Sequence, residues 1–229
     1  MIISIIIPVY NEEKTIVTVL NSIKKNLENK FKYEVIVIND GSTDRTSELL
    51  EKNKSLYDEL IINEINKGKG FSVKRGLSKC NGTHITFQDA DLEYSPRDYA
   101  KLIAPFIDSD ADVVYGSRFN YSDYTRTHNL LNKIGNKILT LIFNILYNTT
   151  FTDIYSCYFA FKKDLININD LRTSGFEQHA EILCRVIKNG NKFYEVPISY
   201  NGRNYSEGKK IRAYHFFSVL WQMILGKIR

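Results

Sequence analysis

Three acidic residues follow a short apolar stretch near the middle of the chain. The stretch ends at Phe87, and Asp89, Asp91 and Glu93 come after it at alternating positions. Because successive side chains of an extended chain point to opposite sides, these three carboxylates are expected to project the same way. Carboxylate oxygens suit Mg²⁺ or Mn²⁺, and an ion held by two or three of them keeps coordination positions open. The pattern therefore predicts a divalent-metal site with these three ligands that handles a diphosphate.

A second acidic run has the same spacing, at Asp108, Asp110 and Asp112. This run precedes an apolar stretch that begins at Val113, whereas the first run follows one. Ligands of open α/β sheets bind outside the carboxyl ends of the strands. The first run is therefore expected to bind the metal, and the second is expected to be a solvated loop.

Short β-branched stretches alternate with helical patterns through the first half of the chain. Strands are predicted at 2–9, 33–39, 60–65, 83–88 and 112–117, and helices at 12–28, 44–55, 69–79 and 96–107. Alternation at this spacing predicts βαβ units, and so an α/β fold with a mainly parallel sheet flanked by helices. No linker-like tract or internal repeat interrupts the 229 residues, which are expected to form one domain, 1–229.

Composition narrows the class of protein further. The three cysteines, Cys80, Cys157 and Cys184, are scattered without C-x-x-C spacing, which fits a reducing cytosol better than a disulfide or zinc framework. The apolar segment 1–8 lacks a basic region and a cleavage site, so it is expected to be a buried strand and not a signal peptide. No run of 18 apolar residues exists, so no membrane span is expected.

Two amphipathic helices are predicted in the second half, at 128–147 and 211–226. The last 22 residues, 208–229, contain five basic residues and no acidic one, and aromatic side chains such as Trp221 lie among them. Either apolar stripe alone is also explained as an ordinary core face. Taken together with the basic tail, the two stripes predict contact with an anionic membrane surface.

Polar segments follow other predicted strands at the same edge of the sheet. Asp40 can accept hydrogen bonds from ribose hydroxyls or a base N–H, and Tyr10 can pack on a base, although Asp40 also starts a plain turn. The basic, glycine-rich loop 66–70 opens a helix, and helix N-termini and Lys ammonium groups suit phosphate. The loop matches neither the P-loop nor the dinucleotide-binding pattern.

Five motifs in this order resemble those of inverting, nucleotide-sugar-dependent glycosyltransferases of the GT-A fold. They are Pro8-x-Tyr10-Asn11-Glu12, Asp40-Gly41-Ser42-x-Asp44, Asn66-x-Gly68-x-Gly70, Asp89-Ala90-Asp91-Leu92 and Gly116-Ser117-Arg118. The resemblance is strongest to the dolichyl- or polyprenyl-phosphate sugar synthases of glycosyltransferase family 2, and it covers nearly the whole chain. It implies a GT-A, Rossmann-like sheet with C-terminal amphipathic helices.

The resemblance also implies roles for individual residues. With the loop lysine Lys67 included, the residues expected to contact the donor or its phosphates are Pro8, Tyr10, Glu12, Ile38, Asp40, Lys67, Asp89, Ala90, Asp91, Arg118, Arg203 and Lys209. The residues with expected catalytic roles are Asp91, Asp153 and Arg118. Glu93 occupies a position at which the mannosyl enzymes commonly have Gln. Residues 1–118 are expected to recognise the donor, and residues 119–229 the acceptor.

The second half departs from the family at three positions. Cys157 stands where the family usually has Gly, Phe159 where it often has Arg, and His128 where many members have an Arg that contacts the acceptor phosphate. These departures bear on the choice of acceptor more than on donor binding.

The expected reaction is metal-dependent, inverting transfer of a sugar from a UDP- or GDP-linked donor to a polyprenyl phosphate at the cytoplasmic face of a membrane. A phosphate acceptor is largely dianionic at neutral pH and needs no strong base. One alternative is transfer to a saccharide or glycolipid hydroxyl, for which Asp153 would be the base. Another is a non-catalytic nucleotide-sugar-binding membrane scaffold. No nucleic-acid recognition motif accompanies the basic tail, so no nucleic-acid partner is expected.

Overall fold

A computed structural model describes residues 1–120, 130–203 and 215–228 of the protein. Its strands are β1 (Ile3–Val9), β2 (Tyr33–Asp40), β3 (Glu59–Asn63), β4 (His84–Phe87), β5 (Val113–Ser117), β6 (Phe159–Lys162) and β7 (Phe193–Pro197). Its α-helices are α1 (Ile16–Leu27), α2 (Thr46–Lys52), α3 (Lys69–Leu77), α4 (Tyr99–Asp108), α5 (Leu130–Tyr147), α6 (Gln178–Asn189) and α7 (His215–Ile228). The predicted positions His128 and Lys209 lie outside the described residues.

The strands form one seven-stranded sheet in the order β3-β2-β1-β4-β6-β5-β7. Every neighbouring pair is parallel except the two pairs that β6 makes, with β4 and with β5. In β1, Ile5, Ile6 and Ile7 are consecutive and fully buried because helices cover both faces of the sheet, and Ser4 is the one polar residue of the strand. The predicted α/β class with a mainly parallel sheet is confirmed. The antiparallel β6 and the edge strand β7 were not predicted.

The first helix begins later than predicted, at Ile16 and not at residue 12. Residues 10–15 instead cross to the turn that follows β2. Asn11 adopts a left-handed conformation with φ 53°, and its side-chain oxygen accepts the backbone N–H of Thr43 at 2.8 Å. The backbone N–H of Glu12 donates to the Thr46 hydroxyl at 3.0 Å. These contacts fix the ends of β1 and β2 side by side, with Tyr10 and Glu12 at the carboxyl edge of the sheet.

The two amphipathic helices of the second half are present in the described part of the chain and pack against each other. The Tyr147 hydroxyl of α5 donates to the Met223 carbonyl of α7 at 3.0 Å. Both helices also carry large apolar side chains that remain exposed: Leu130, Leu131, Ile134, Ile138, Leu141, Ile145, Phe217, Trp221 and Ile228. None of the described helices is long and apolar enough to cross a membrane.

The second acidic run lies at the opposite edge of the sheet, before β5. The Lys162 ammonium donates to Asp110 at 2.7 Å and to Asp112 at 2.9 Å, and Lys192 also reaches Asp110. Asp110 is exposed, and the Asp112 carboxylate accepts the backbone N–H of Asn191 at 2.8 Å. These carboxylates are therefore neutralised by surface lysines and hold β5 next to its neighbours, as a loop without access to the carboxyl edge.

Candidate active site

A cavity of about 830 Å³ opens at the carboxyl ends of β1, β2 and β4. The predicted site residues that line it are Pro8, Tyr10, Glu12, Asp40, Asp89, Ala90, Asp91, Glu93, Arg118 and Arg203. Residues from both halves of the chain meet here, because the segment after β7 returns to the acidic turn after β4. The cavity then continues between α5, α6 and α7, where Leu131, Leu139, Ile182 and Val219 form apolar walls.

The acidic residues lie on a turn and not on the end of a strand. The strand β4 ends at Phe87, and Leu92 is left-handed with φ 64°, so strand alternation is the wrong reason for their convergence. The turn is shaped by the buried side chain of Gln88, whose amide nitrogen donates to the carbonyl of Asp89 at 2.9 Å. The same nitrogen reaches the carbonyl of Tyr94 at 3.5 Å.

Two buried tyrosines hold Gln88 in that orientation. The side-chain oxygen of Gln88 accepts the Tyr158 hydroxyl at 2.5 Å and the Tyr99 hydroxyl at 3.1 Å. The rings of these tyrosines stack with centroids 5.2 Å apart. Since a buried amide with unpaired polar atoms would be costly, this pairing fixes which way the amide faces and therefore the shape of the turn.

Each carboxylate of the turn faces a cation. Lys69 donates to Asp89 at 2.5 Å, and Arg203 donates to Asp91 at 2.5 Å and to Glu93 at 3.4 Å. Within residues 1–120, 130–203 and 215–228, no three acidic, His or Cys side chains converge as a ready metal-ligand group. The role of Asp89, Asp91 and Glu93 as metal ligands therefore stays a prediction.

The electrostatics around Asp91 are those of a site that lacks positive charge. Within the described residues, four carboxylates, including that of Glu12, face two cations, Lys69 and Arg203. Burial and then the charges of Asp89 and Glu93 raise the pKa of Asp91 to about 7. Burial also acts to raise the pKa of Asp89, but the Lys69 ammonium outweighs it and holds that pKa below its usual range. The excess of carboxylates over cations within the described residues fits a divalent cation with oxygen ligands.

Glu93 makes contacts that differ from those of Asp89 and Asp91, the other two predicted metal ligands. Its carboxylate accepts the Tyr200 hydroxyl at 2.9 Å and the backbone N–H of Arg203 at 2.8 Å. Its backbone carbonyl accepts the N–H of Asn201 at 2.9 Å. Glu93 therefore fastens segment 200–203 to the acidic turn, a role that sequence spacing does not reveal.

The basic loop after β3 contributes a lysine that the sequence analysis did not select. Lys67 is exposed and does not line the cavity, and its ammonium lies 4.8 Å from the centroid of the Phe71 ring. Lys69, the first residue of α3, lines the cavity and reaches Asp89. The turn at Gly68, with φ 92°, separates the two side chains. The predicted donor contact of Lys67 stays a prediction, whereas Lys69 reaches the acidic turn. The start of the predicted helix at residue 69 was the available signal for Lys69.

Asp40 and Ile38 lie on the same face of β2 but at different depths. The carboxylate of Asp40 accepts backbone N–H groups of Lys67 at 3.0 Å and Gly68 at 2.8 Å, as well as the side-chain amide of Asn63 at 2.6 Å. A carboxylate accepts about four hydrogen bonds, so Asp40 can take one more donor. Ile38 is fully buried, does not line the cavity and lies two residues deeper, beneath α3. Its predicted contact with the nucleoside has no support from the cavity lining and stays a prediction.

Arg118 and Asp153 form a buried, bidentate ion pair. The guanidinium donates from Nε to Oδ2 at 2.7 Å and from Nη2 to Oδ1 at 2.9 Å. Asp153 also accepts the backbone N–H groups of Arg118 and Tyr155, each at 3.1 Å, and its side chain is fully buried. All four of its acceptor positions are used in these contacts, and its predicted role as a base stays a prediction. Arg118 lines the cavity, but Asp153 holds its guanidinium in place.

The floor of the cavity contains two further side chains. Cys157 is buried, with its sulfur 3.8 Å from the Lys69 nitrogen. His179, near the start of α6, was missed by sequence reasoning, and its Nε2 lies 2.6 Å from the Tyr115 hydroxyl. Burial and then the charge of Lys69 lower the pKa of His179 to about 3, so the imidazole is neutral. Phe159, a departure expected to bear on the acceptor, instead lies in the core and stacks on Tyr115.

The sheet order and the acidic turn at its carboxyl edge define a glycosyltransferase with the GT-A fold. Among solved structures, glucosyl-3-phosphoglycerate synthase from Mycobacterium tuberculosis, in complex with Mn²⁺, UDP and glucosyl-3-phosphoglycerate, superposes with a TM-score of 0.72. That match covers 98% of this chain and 79% of the synthase at 19% identity, and it bears on the fold alone. The model of glycosyl transferase family 2 matches residues 4–168, and the chain belongs to that family.

Two relatives with named activities align with almost the entire chain. UDP-N-acetylglucosamine–dolichyl-phosphate N-acetylglucosaminyltransferase of Methanococcus voltae is 32% identical over 99% of this chain and 96% of its own length. Dolichol-phosphate mannosyltransferase of Pyrococcus furiosus is 28% identical over all of this chain and 66% of its own length. The protein is accordingly a glycosyltransferase whose relatives include enzymes named for dolichyl-phosphate sugar transfer.

The buried ion pair gives a test of the structural role of Asp153. Arg118→Met and Asp153→Asn should each lower the free energy of unfolding by about 3–5 kcal/mol, because each leaves a buried partner uncompensated. The double variant should lose less than the sum of the two, by about 1–3 kcal/mol. Urea unfolding followed by circular dichroism measures all three variants. An Asp153→Asn protein that keeps its stability but loses its activity would contradict the structural role and support the predicted role of Asp153 as a base.

Proposed function

We propose that the protein is a metal-dependent, inverting glycosyltransferase that moves a sugar from a nucleotide diphosphate to a polyprenyl phosphate at a membrane surface. The observation that carries the proposal is the continuity of one cavity. At one end it has an excess of carboxylates around Asp91, and at the other end apolar walls between α5, α6 and α7. A ligand that is anionic in its centre and apolar at one end matches this layout.

The donor would occupy the carboxyl edge of the sheet. Pro8, Tyr10 and the free acceptor position of Asp40 suit a nucleoside, while Asp89, Ala90 and Asp91 border the space for its diphosphate. We propose Mg²⁺ or Mn²⁺ on Asp89 and Asp91, consistent with the unbalanced charge there. The structural neighbour solved with Mn²⁺ and UDP supports this choice. When bound, the ion would neutralise charge that develops on the leaving diphosphate.

The chain's own residues would orient and stabilise that diphosphate. Lys69, at the N-terminus of α3, and Arg203 both border the carboxylates and lie within the cavity. Ammonium and guanidinium groups that are in place when the diphosphate leaves stabilise its developing negative charge. Arg118, held by Asp153, would shape the wall beside them and keep its position through the reaction.

The acceptor end favours a lipid phosphate over a sugar hydroxyl. Attack by a hydroxyl needs a base, and Asp153 has no acceptor position available for that role. A phosphate acceptor is largely dianionic at neutral pH and needs none. The apolar walls formed by Leu131, Ile182 and Val219 suit an isoprenoid chain. The two relatives named as dolichyl-phosphate sugar transferases support the same class of acceptor.

The proposed transfer is tested by measuring the release of nucleoside diphosphate from a panel of UDP- and GDP-sugars, with and without a short polyprenyl phosphate. We expect release that needs Mg²⁺ or Mn²⁺ and the lipid phosphate together. Asp91→Asn should lower the rate by about a hundredfold or more, because it removes charge from the cluster that holds the ion. Asp110→Asn, in the acidic run of the same spacing, should leave the rate unchanged.

Other outcomes of this assay select the alternatives. Turnover with soluble saccharides and none with lipid phosphate would favour a hydroxyl acceptor. Donor binding without turnover across all acceptors would favour a nucleotide-sugar-binding scaffold. An Asp91→Asn protein as active as the Asp110→Asn control would contradict the metal-dependent mechanism itself.

The exposed apolar side chains of α5 and α7 support peripheral attachment to a membrane, which we place at the cytoplasmic face. Leu141, Ile145 and Phe217 project from the described part of these helices, and Lys133, Lys137 and Lys227 lie on the same two helices. Apolar and aromatic side chains next to basic ones bind the interface of an anionic bilayer. Such attachment would bring the apolar end of the cavity to the lipid phosphate.

Trp221 provides a direct probe of this attachment, since it is the single tryptophan of the chain and its side chain is 61% exposed. Its fluorescence should shift to shorter wavelength when vesicles of phosphatidylcholine and phosphatidylglycerol are added, because the indole leaves water. Phe217→Ser should weaken vesicle binding, whereas Ile107→Ser, at an exposed apolar residue on α4, should not. Absence of any shift with anionic vesicles would contradict attachment through this face.

A further inference from the structure

The guanidinium of Arg203 lies among the carboxylates around Asp91 and compensates part of their negative charge. Its Nη2 donates to Asp91 at 2.5 Å, its Nε lies 3.4 Å from Glu93, and its Nη1 lies 3.5 Å from Glu12. All three nitrogens of the guanidinium thus face carboxylates from two separate segments of the chain. The side chain is only 21% exposed, so these contacts are made largely out of water.

We propose that Arg203 is an internal counter-ion that competes with the divalent ion for Asp91 and moves to the phosphates of the donor when that ion binds. This inference rests on the proposed function and adds an order of exchange to it. Without donor, the guanidinium compensates the carboxylates. With ion and donor bound, the ion takes over the carboxylates and the guanidinium is free for the diphosphate.

The backbone next to Arg203 is held so that only its side chain needs to move. Glu93 accepts the backbone N–H of Arg203 at 2.8 Å and the Tyr200 hydroxyl at 2.9 Å. The Glu93 carbonyl also accepts the N–H of Asn201. Because these bonds involve the main chain or neighbouring residues, they remain when the guanidinium leaves Asp91. The long Arg side chain can then rotate within the cavity about a fixed attachment point.

Charge explains why each state of the site would be stable, the one without ligand and the one with ion and diphosphate. Buried carboxylates are costly without a cation, so the unliganded site is stabilised by the guanidinium. Within the described residues, the positive charges of Arg203 and Lys69 are fewer than the four carboxylates that they face. A divalent ion supplies the missing charge, and a diphosphate supplies the bidentate partner for which a guanidinium is well shaped. Removing Arg203 should therefore have opposite effects on ion binding and on nucleotide binding.

The experiment measures Mn²⁺ affinity by electron paramagnetic resonance of free Mn²⁺, first without nucleotide. Arg203→Met should bind Mn²⁺ about tenfold more tightly than the wild type, because its competitor for Asp91 is gone. Lys67→Met is the matched control. It removes one positive charge from a loop next to the site that touches none of these carboxylates, so it should leave Mn²⁺ affinity close to that of the wild type.

The second arm titrates UDP and GDP at saturating Mn²⁺. Arg203→Met should bind the preferred nucleoside diphosphate about tenfold more weakly than the wild type, since a charge-assisted contact to phosphate is lost. The matching nucleoside monophosphate should be affected less. Thermal unfolding without ion checks that the variant is folded, and Arg203→Gln replaces it if Arg203→Met is not.

A gain in Mn²⁺ affinity cannot arise from misfolding, so the first arm is decisive. Unchanged or weaker Mn²⁺ binding by folded Arg203→Met overturns the competition, even when the wild type binds Mn²⁺ and nucleotide as proposed. Tighter Mn²⁺ binding with unchanged nucleotide affinity overturns the transfer to phosphate. A wild-type protein that binds neither Mn²⁺ nor a nucleoside diphosphate overturns both this inference and the proposed function, and the two failures are thus distinguishable.

Discussion

The excess of carboxylates at the carboxyl end of β4 is the constraint on which the site depends. Placing four acidic groups around one partly dry position costs free energy unless cations compensate them. Within the described residues the fold supplies two, Lys69 from the start of α3 and Arg203 from the segment after β7, and the pKa of Asp91 is still raised to about 7. The proposed affinity of the cavity for a divalent ion and a diphosphate rests on this imbalance.

Buried hydrogen bonds and an ion pair hold the acidic turn and the cavity wall beside it in place. Gln88, locked by Tyr99 and Tyr158, sets the shape of the acidic turn from below. The buried pair of Arg118 and Asp153 fixes the neighbouring wall. Since these groups are fully paired, they can keep their positions when charge changes in the cavity, whereas we propose that the backbone-anchored Arg203 moves its side chain. A fixed wall beside a mobile cation would suit the proposed binding, neutralisation and release of a diphosphate.

Much of this architecture was readable in the sequence because it depends on local periodicity. The strands β1 to β5 follow short β-branched apolar stretches, and the amphipathic helices follow an apolar period of 3.6. The position of the acidic run after a strand located the candidate site. Local periodicity could not predict the surroundings of four site candidates, Asp153, Lys67, Ile38 and Glu93. Asp153 pairs with a residue 35 positions away, and Glu93 with residues 107 and 110 positions away. Spacing in the sequence carries no information on such partners, nor on the depth of a side chain within a sheet.

The central claim is that the cavity is a metal-dependent site for a nucleoside diphosphate. Calorimetric titration of the wild-type protein with UDP and with GDP, each in Mn²⁺ and again in excess chelator, tests it most directly. We predict that one of the two binds in Mn²⁺ and that chelation weakens its affinity about tenfold or more, because the carboxylates then face the phosphates without a bridging cation. Equal affinity with and without the metal, or no binding of either nucleotide, would contradict the account.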